Sequence, residues 1–155
     1  TDGARLPVIV DASSCTAGFK DMLESVGITV LDAISFTADT LLPQLAVKNP
    51  AASVTVHPTC SAFQLGMMED VEKVARAAAA EVHIPTDWNC CGYAGDRGML
   101  HPELTDAATR AEAAQVKEIG AQYHASTNRT CELGLTRATG EDYHHILELL
   151  EQATR

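Results

Sequence analysis

The sequence has few aromatic residues, few cations and no long apolar run. Only 5% of its 155 residues are Phe, Trp or Tyr, a low share, whereas the apolar fraction of 46% is ordinary for a globular protein. The length fits a single domain that buries a core without staples. Eleven Lys and Arg face 21 Asp and Glu, giving a net charge of −10 with no cluster of cations. A nucleic-acid partner is therefore excluded, because it needs a concentrated basic face. No apolar stretch approaches the roughly 20 residues of a membrane-spanning helix, and no secretory signal opens the sequence. An acidic chain of this kind is expected in the cytoplasm, or at the inner face of the membrane if quinones accept its electrons. The chain starts at Thr1 with a linker-like TDGARLP, which reads as the start of a piece of something longer.

Short β-rich runs alternate with helical patterns. LPVIVDA (6–12), ITVLDA (28–33), SVTVHP (53–58), EVHIP (81–85) and AQYHAS (121–126) read as strands. Between them fall a helix through FKDMLESVG, one with Leu41, Leu42 and Leu45 on a face interrupted by Pro43, and a long helix over 61–80 with Phe63, Met67, Val71, Val74 and Ala78 in phase. An alanine-rich helix over 102–120 turns Leu104, Ala108, Ala111 and Ile119 inward, and a last helix carries Tyr143, Ile146, Leu147 and Leu150 with His144 and His145. The alternation predicts an α/β fold: a mostly parallel sheet of about five strands with helices on both faces.

Five cysteines are present, an odd number that argues against a secreted disulfide framework and favours reactive or metal-bound thiols. Cys15 follows strand one, Cys60 follows strand three, Cys90 and Cys91 follow strand four, and Cys131 follows strand five. In a parallel sheet these positions share the carboxyl edge, where open α/β sheets bind ligands. The thiols sit in loops beside Ser, Thr, Asn and Gly, which does not suit inert core packing. Structural zinc uses ligands two to four residues apart, and no C-x-x-C occurs; Cys131-Glu132-Leu133-Gly134 ends in glycine where a second thiol would stand. A vicinal Cys90–Cys91 disulfide would close a strained ring. An iron–sulfur assembly suits the spacing better, because several irons accept thiolates from several directions. Gly92 and Gly95 let the backbone pass close to a bulky group, and the helix starts at Cys15 and Cys60 favour thiolates.

His57 stands three residues before Cys60, as a ligand or hydrogen-bond donor to a cluster sulfur, or as a structural histidine at a strand end. Arg129 is set to offset thiolate charge or to form a surface ion pair. Trp88 shields the site from water or caps the core. Asp96 and Arg97 shape the loop. No convincing partner is evident for His101 or His124.

HPTC (57–60), CCGYAGDRG (90–98) and the cysteine of STNRTCELG (126–134) resemble the CCG cysteine-rich domain found in heterodisulfide reductase, the glycolate oxidase iron–sulfur protein and lactate-utilisation protein A. The spacing agrees: 29 residues separate Cys60 from Cys90, and 39 separate Cys91 from Cys131. VDASSCTAG (10–18), STNRTCELGL (126–135) and the ending ILELLEQATR resemble the C-terminal part of FAD-linked D-lactate dehydrogenases. The resemblance implies residues 1–5 as linker and 6–155 as the second copy of the cysteine-rich domain. It also implies a 4Fe–4S-type cluster held by Cys15, Cys60, Cys90, Cys91 and Cys131, with Cys15 replacing the thiol missing at Gly134 if strand one runs mid-sheet. The partners it implies are a flavin domain carrying FAD, the other cysteine-rich copy and a downstream electron acceptor. The isolated piece would then be inactive by itself. Two alternatives stay open: a thiol–disulfide module, and a zinc-bound or non-catalytic docking domain.

Overall fold

Six short strands, each followed by a helical segment, all pair in parallel in the computed structural model, which describes residues 1–155. In chain order these are β1 (Val8–Val10), α1 (Ser13–Leu23), β2 (Val30–Asp32), α2 (Ala33–Phe36), β3 (Ala51–His57), α3 (Cys60–Gln64), α4 (Met68–Ala78), β4 (Ala79–His83), α5 (Arg97–Leu100), α6 (Pro102–Ile119), β5 (Tyr123–Ser126), α7 (Arg129–Thr139), β6 (Tyr143–His145) and α8 (Ile146–Thr154). The strands form two sheets rather than one. β1 pairs only with β2, and the other four run in the order β4-β3-β5-β6.

Several boundaries differ from the sequence reading. Beyond α2 the helix passes into a π turn (Thr37–Leu41) and a 3-10 turn (Leu42–Gln44), because Pro43 has no N–H and crowds the preceding turn. Leu41 and Leu45 are consequently exposed. The long helix over 61–80 is two helices, α3 and α4, divided at Gly66, whose φ of 72° a helix cannot accommodate. Phe63 thereby leaves the core and is exposed. Residues 143–145 form β6 on the edge of the larger sheet, so His144 and His145 belong to a strand and not to the last helix.

The larger sheet has two unlike faces. Paired residues of a parallel ladder project to the same side, and alternate residues to opposite sides. Val54, Val56 and Ala125 face a core shared with Val71, Val74, Ala75 and Ala78 of α4 and with Ile146, Leu149 and Leu150 of α8. The opposite face is polar: Thr55, His124 and Tyr143 lie in register across β3, β5 and β6, followed by His57, Ser126 and His145. All but His145 are buried. Helices α6 and α7 cover this face. The inward side of α6 is therefore Thr105, Thr109, Glu112, Ala113 and Val116, whereas Leu104 and Ala111 are exposed. A helix lying on a polar face needs hydrogen-bonding groups in phase, and hydrophobic spacing points to the wrong side of it.

A buried hydroxyl network ties the small sheet to the larger one. Ser13 Oγ, at the start of α1, is 2.9 Å from Thr59 Oγ1 and 2.7 Å from Ser61 Oγ. Thr59 Oγ1 also caps α3 by accepting from the Ala62 N–H. Thr127 Oγ1 and Asn128 Nδ2 complete the group from the β5–α7 turn.

Candidate metal centre

Cys60 opens α3 after β3, Cys90 and Cys91 lie in the loop after β4, and Cys131 lies in the first turn of α7 after β5. These three strands are neighbours in the order β4-β3-β5, so their carboxyl ends, and the thiols that follow them, meet at one rim. Cys91 and Cys131 are buried and their sulfurs are 2.9 Å apart; Cys60 and Cys90 are exposed at the mouth.

The four thiols act on one another. The Cys131 S–H donates to the Cys91 sulfur and lowers the Cys91 pKa to about 6 against the opposing effect of burial; the Tyr93 N–H adds to the lowering. The same hydrogen bond pushes Cys131 far up, reinforced by burial and by the charges of Cys91, Cys60 and Cys90. Burial raises Cys60, and so do Cys90 and Cys91. One proton is thus shared by the buried pair, with the negative charge on Cys91.

His57 closes the inner wall. It is the last residue of β3, fully buried on the polar face, and its Nδ1 lies 2.7 Å and 2.9 Å from the two carboxylate oxygens of Glu112. A ring nitrogen of His57 and the sulfurs of Cys91 and Cys131 all lie within 4.8 Å of one another. His57 Nε2 is buried without a partner.

The loop carrying the paired cysteines is seated by missing side chains. A Cβ on Gly92 would stand 2.9 Å from the Leu104 carbonyl oxygen, and one on Gly98 would stand 2.8 Å from Tyr93 Cα. Gly92 therefore gives close approach to α6; Gly95, at φ 75°, has open space about it. Gly134 faces Tyr93 and Thr105. Trp88, in the loop just before the paired cysteines, meets the exposed Phe63 of α3 edge-on with ring centroids 6.0 Å apart.

Cys15 is not brought to the group. Strand β1 lies in the separate two-stranded sheet rather than mid-sheet. Ser13 is the residue of α1 that turns toward α3, and Cys15, two positions on, is exposed. Arg129 forms an ion pair with Glu132 at 2.9 Å instead of facing the thiols. His101 approaches Glu103 at 3.2 Å, and His124 approaches Glu141 at 3.9 Å while stacking on Tyr143. Sequence reasoning missed Glu112 and the buried Tyr143, which packs with Cys91, Cys131 and Leu135. The one signal for Glu112 was its helical phase with Thr105, Thr109 and Val116.

Soft sulfur donors beside one free imidazole nitrogen suit zinc, iron or an iron–sulfur assembly and do not suit the oxygen-seeking magnesium or calcium. The donor set thus fits a metal group. No helix is long and apolar enough to cross a membrane.

Comparison with known proteins agrees with this chemistry. The chain is similar to lactate utilization protein A of Oceanobacillus iheyensis, with 28% identity over an alignment that covers 63% of this chain and 43% of that relative. The chain therefore spans less than half the length of the curated relative it matches. The model of the cysteine-rich domain, CCG, matches residues 54–136, a span that holds Cys60, Cys90, Cys91, Cys131, His57 and Glu112 and leaves out Cys15. With over half its length matched, the chain belongs to the CCG cysteine-rich domain family.

Proposed function

We propose that this domain binds an iron–sulfur cluster through Cys60, Cys90, Cys91 and Cys131 and carries electrons within an FAD-linked D-2-hydroxy-acid dehydrogenase. The convergence of four thiols from three neighbouring strands, two of them sharing one proton, carries this reading. The lactate-related context comes from the similarity to lactate utilization protein A. When bound, the cluster supplies one-electron storage at the end of the sheet. The chain's own residues bind and shield. Cys91 and Cys131 supply donors from the buried side and Cys60 and Cys90 from the mouth. The flavin domain and a second cysteine-rich copy are the partners in this reading. An acidic surface and the absence of an apolar span favour a cytoplasmic setting, at the membrane surface if a quinone is the acceptor.

A thiol–disulfide module is the second reading, favoured by the 2.9 Å sulfur separation and the lowered pKa of Cys91. Anaerobic purification followed by iron, sulfide and zinc analysis and electron paramagnetic resonance separates the readings. Iron with sulfide, and reduction by D-lactate through the parent flavoprotein, supports the first. Disulfide reductase activity of the chain supports the second. Zinc alone at one per chain contradicts both and leaves a docking domain.

A further inference from the structure

We infer that Glu112 makes His57 a nitrogen donor to the metal group, so that the site is a mixed nitrogen–sulfur site rather than an all-thiolate one. The inference rests on the metal-binding reading above and adds two residues to it.

Glu112 is only 1% exposed, and no Lys or Arg pairs with it; its carboxylate meets His57 Nδ1 and no other side chain. A carboxylate set against Nδ1 at 2.7 Å and 2.9 Å favours the tautomer that carries its hydrogen on Nδ1. That choice leaves Nε2 as the free nitrogen of the neutral ring. Nε2 is buried, lacks any protein partner, and belongs to the ring that lies with Cys91 and Cys131 in one group within 4.8 Å. Around a tetrahedral zinc, a nitrogen and a sulfur donor stand about 3.5 Å apart and two sulfurs about 3.8 Å, so the group reaches that geometry with movements of up to about 1 Å.

An unpartnered ring nitrogen is not peculiar to His57, since His124 Nδ1 and His145 Nε2 are also unpaired; what sets His57 apart is its place beside two buried sulfurs. A buried carboxylate kept only for stability would be costly, since desolvation of the charge offsets most of what one hydrogen bond returns. Metal-bound histidines ordinarily hand their second nitrogen's hydrogen to a carboxylate or carbonyl, which fixes the tautomer and strengthens the donor. Glu112 and His57 reproduce that arrangement from two different elements, α6 and β3. A neutral nitrogen in place of a thiolate also lowers the negative charge of the site, which shifts the potential of an iron–sulfur centre upward.

Two measurements on the full chain test this. Long-range 1H–15N correlation on the metal-free protein, labelled in histidine, reads the His57 tautomer directly. The expected form has hydrogen on Nδ1 and a bare Nε2, and Glu112→Ala is expected to abolish that preference. Cobalt(II) then serves as the metal probe for wild type, His57→Ala, Glu112→Ala and Glu112→Gln. X-ray absorption at the cobalt edge is expected to count one nitrogen that His57→Ala removes and added imidazole restores. Cobalt affinity should fall about 10- to 100-fold in Glu112→Ala and less in Glu112→Gln, whose carbonyl oxygen still accepts from Nδ1. Circular dichroism melting confirms that the variants fold, and the tautomer of the wild-type chain needs no variant at all. Hydrogen on Nε2, an imidazolium, or cobalt held by sulfur alone overturns the inference, and in the last case the thiol site stands. A chain that takes up neither cobalt nor, on anaerobic reconstitution, iron with sulfide overturns both.

Discussion

Cys91 and Cys131 hold their sulfurs 2.9 Å apart although 39 residues lie between them, and they share one proton. The thiolate sits on Cys91 because Cys131, deeper in the wall, donates to it. Ultraviolet titration of the metal-free chain should therefore show one thiolate appearing with a midpoint near pH 6. Cys131→Ala removes the donor and should move that step up toward the ordinary thiol range. A titration with no thiolate step below about pH 8 would contradict the assignment.

The seat of the cysteine loop is a matter of missing atoms. Gly92 combines a φ of 72° with backbone contact against α6, whereas Gly95 has a φ of 75° and free space. Gly92→Ala should cost about 2–4 kcal/mol and loosen metal binding, while Gly95→Ala should cost only about 1–2 kcal/mol. Urea unfolding of the two variants measures the difference, and equal losses would show that the contact with Leu104 is not limiting.

Tyr143 places a hydroxyl in the layer between the sheet and α7 with nothing to bond. Burial and the carboxylates of Glu112 and Glu141 raise its pKa strongly, so the phenol stays neutral. Tyr143→Phe keeps the ring that stacks on His124 and removes the unpaired group. Its stability should equal or exceed wild type by up to about 1 kcal/mol. A clear loss in thermal or urea unfolding would mean that the hydroxyl has a partner.

His124 gives the fold an acid sensitivity of known sign. Burial lowers its pKa, and Glu141 only partly opposes this. The unfolded chain therefore takes up the proton first, near pH 6.5, and stability falls as pH drops below that value toward the depressed folded pKa. Above pH 6.5 the contribution is complete. In His124→Phe the fall in the urea midpoint between about pH 6.5 and pH 5 should be shallower; an unchanged slope would assign the effect to other groups.

The strand–helix alternation was legible because each strand is a short apolar or β-branched run followed by helical spacing. The gathering of Cys60, Cys90, Cys91 and Cys131 was legible too, since parallel strands put every following loop at one edge. Strand order was not, and it decides the place of Cys15: adjacency of β3 to β4 and β5 brings four thiols together, while β1 pairs away with β2. The short β6 was hidden because Tyr143, Ile146 and Leu150 also fit a helical stripe. Glu112 was hidden for a deeper reason. Hydrophobic periodicity finds apolar faces, and α6 buries a polar one against His57.

That four cysteines, and not the fifth, form one metal site is tested most directly by iron and sulfide content. The measurement compares wild type with the five single Cys→Ser variants after anaerobic reconstitution. Cys91→Ser and Cys131→Ser should abolish cluster retention, Cys60→Ser and Cys90→Ser should reduce it sharply, and Cys15→Ser should match wild type. Iron retained in Cys91→Ser and Cys131→Ser, or lost in Cys15→Ser alone, would contradict it.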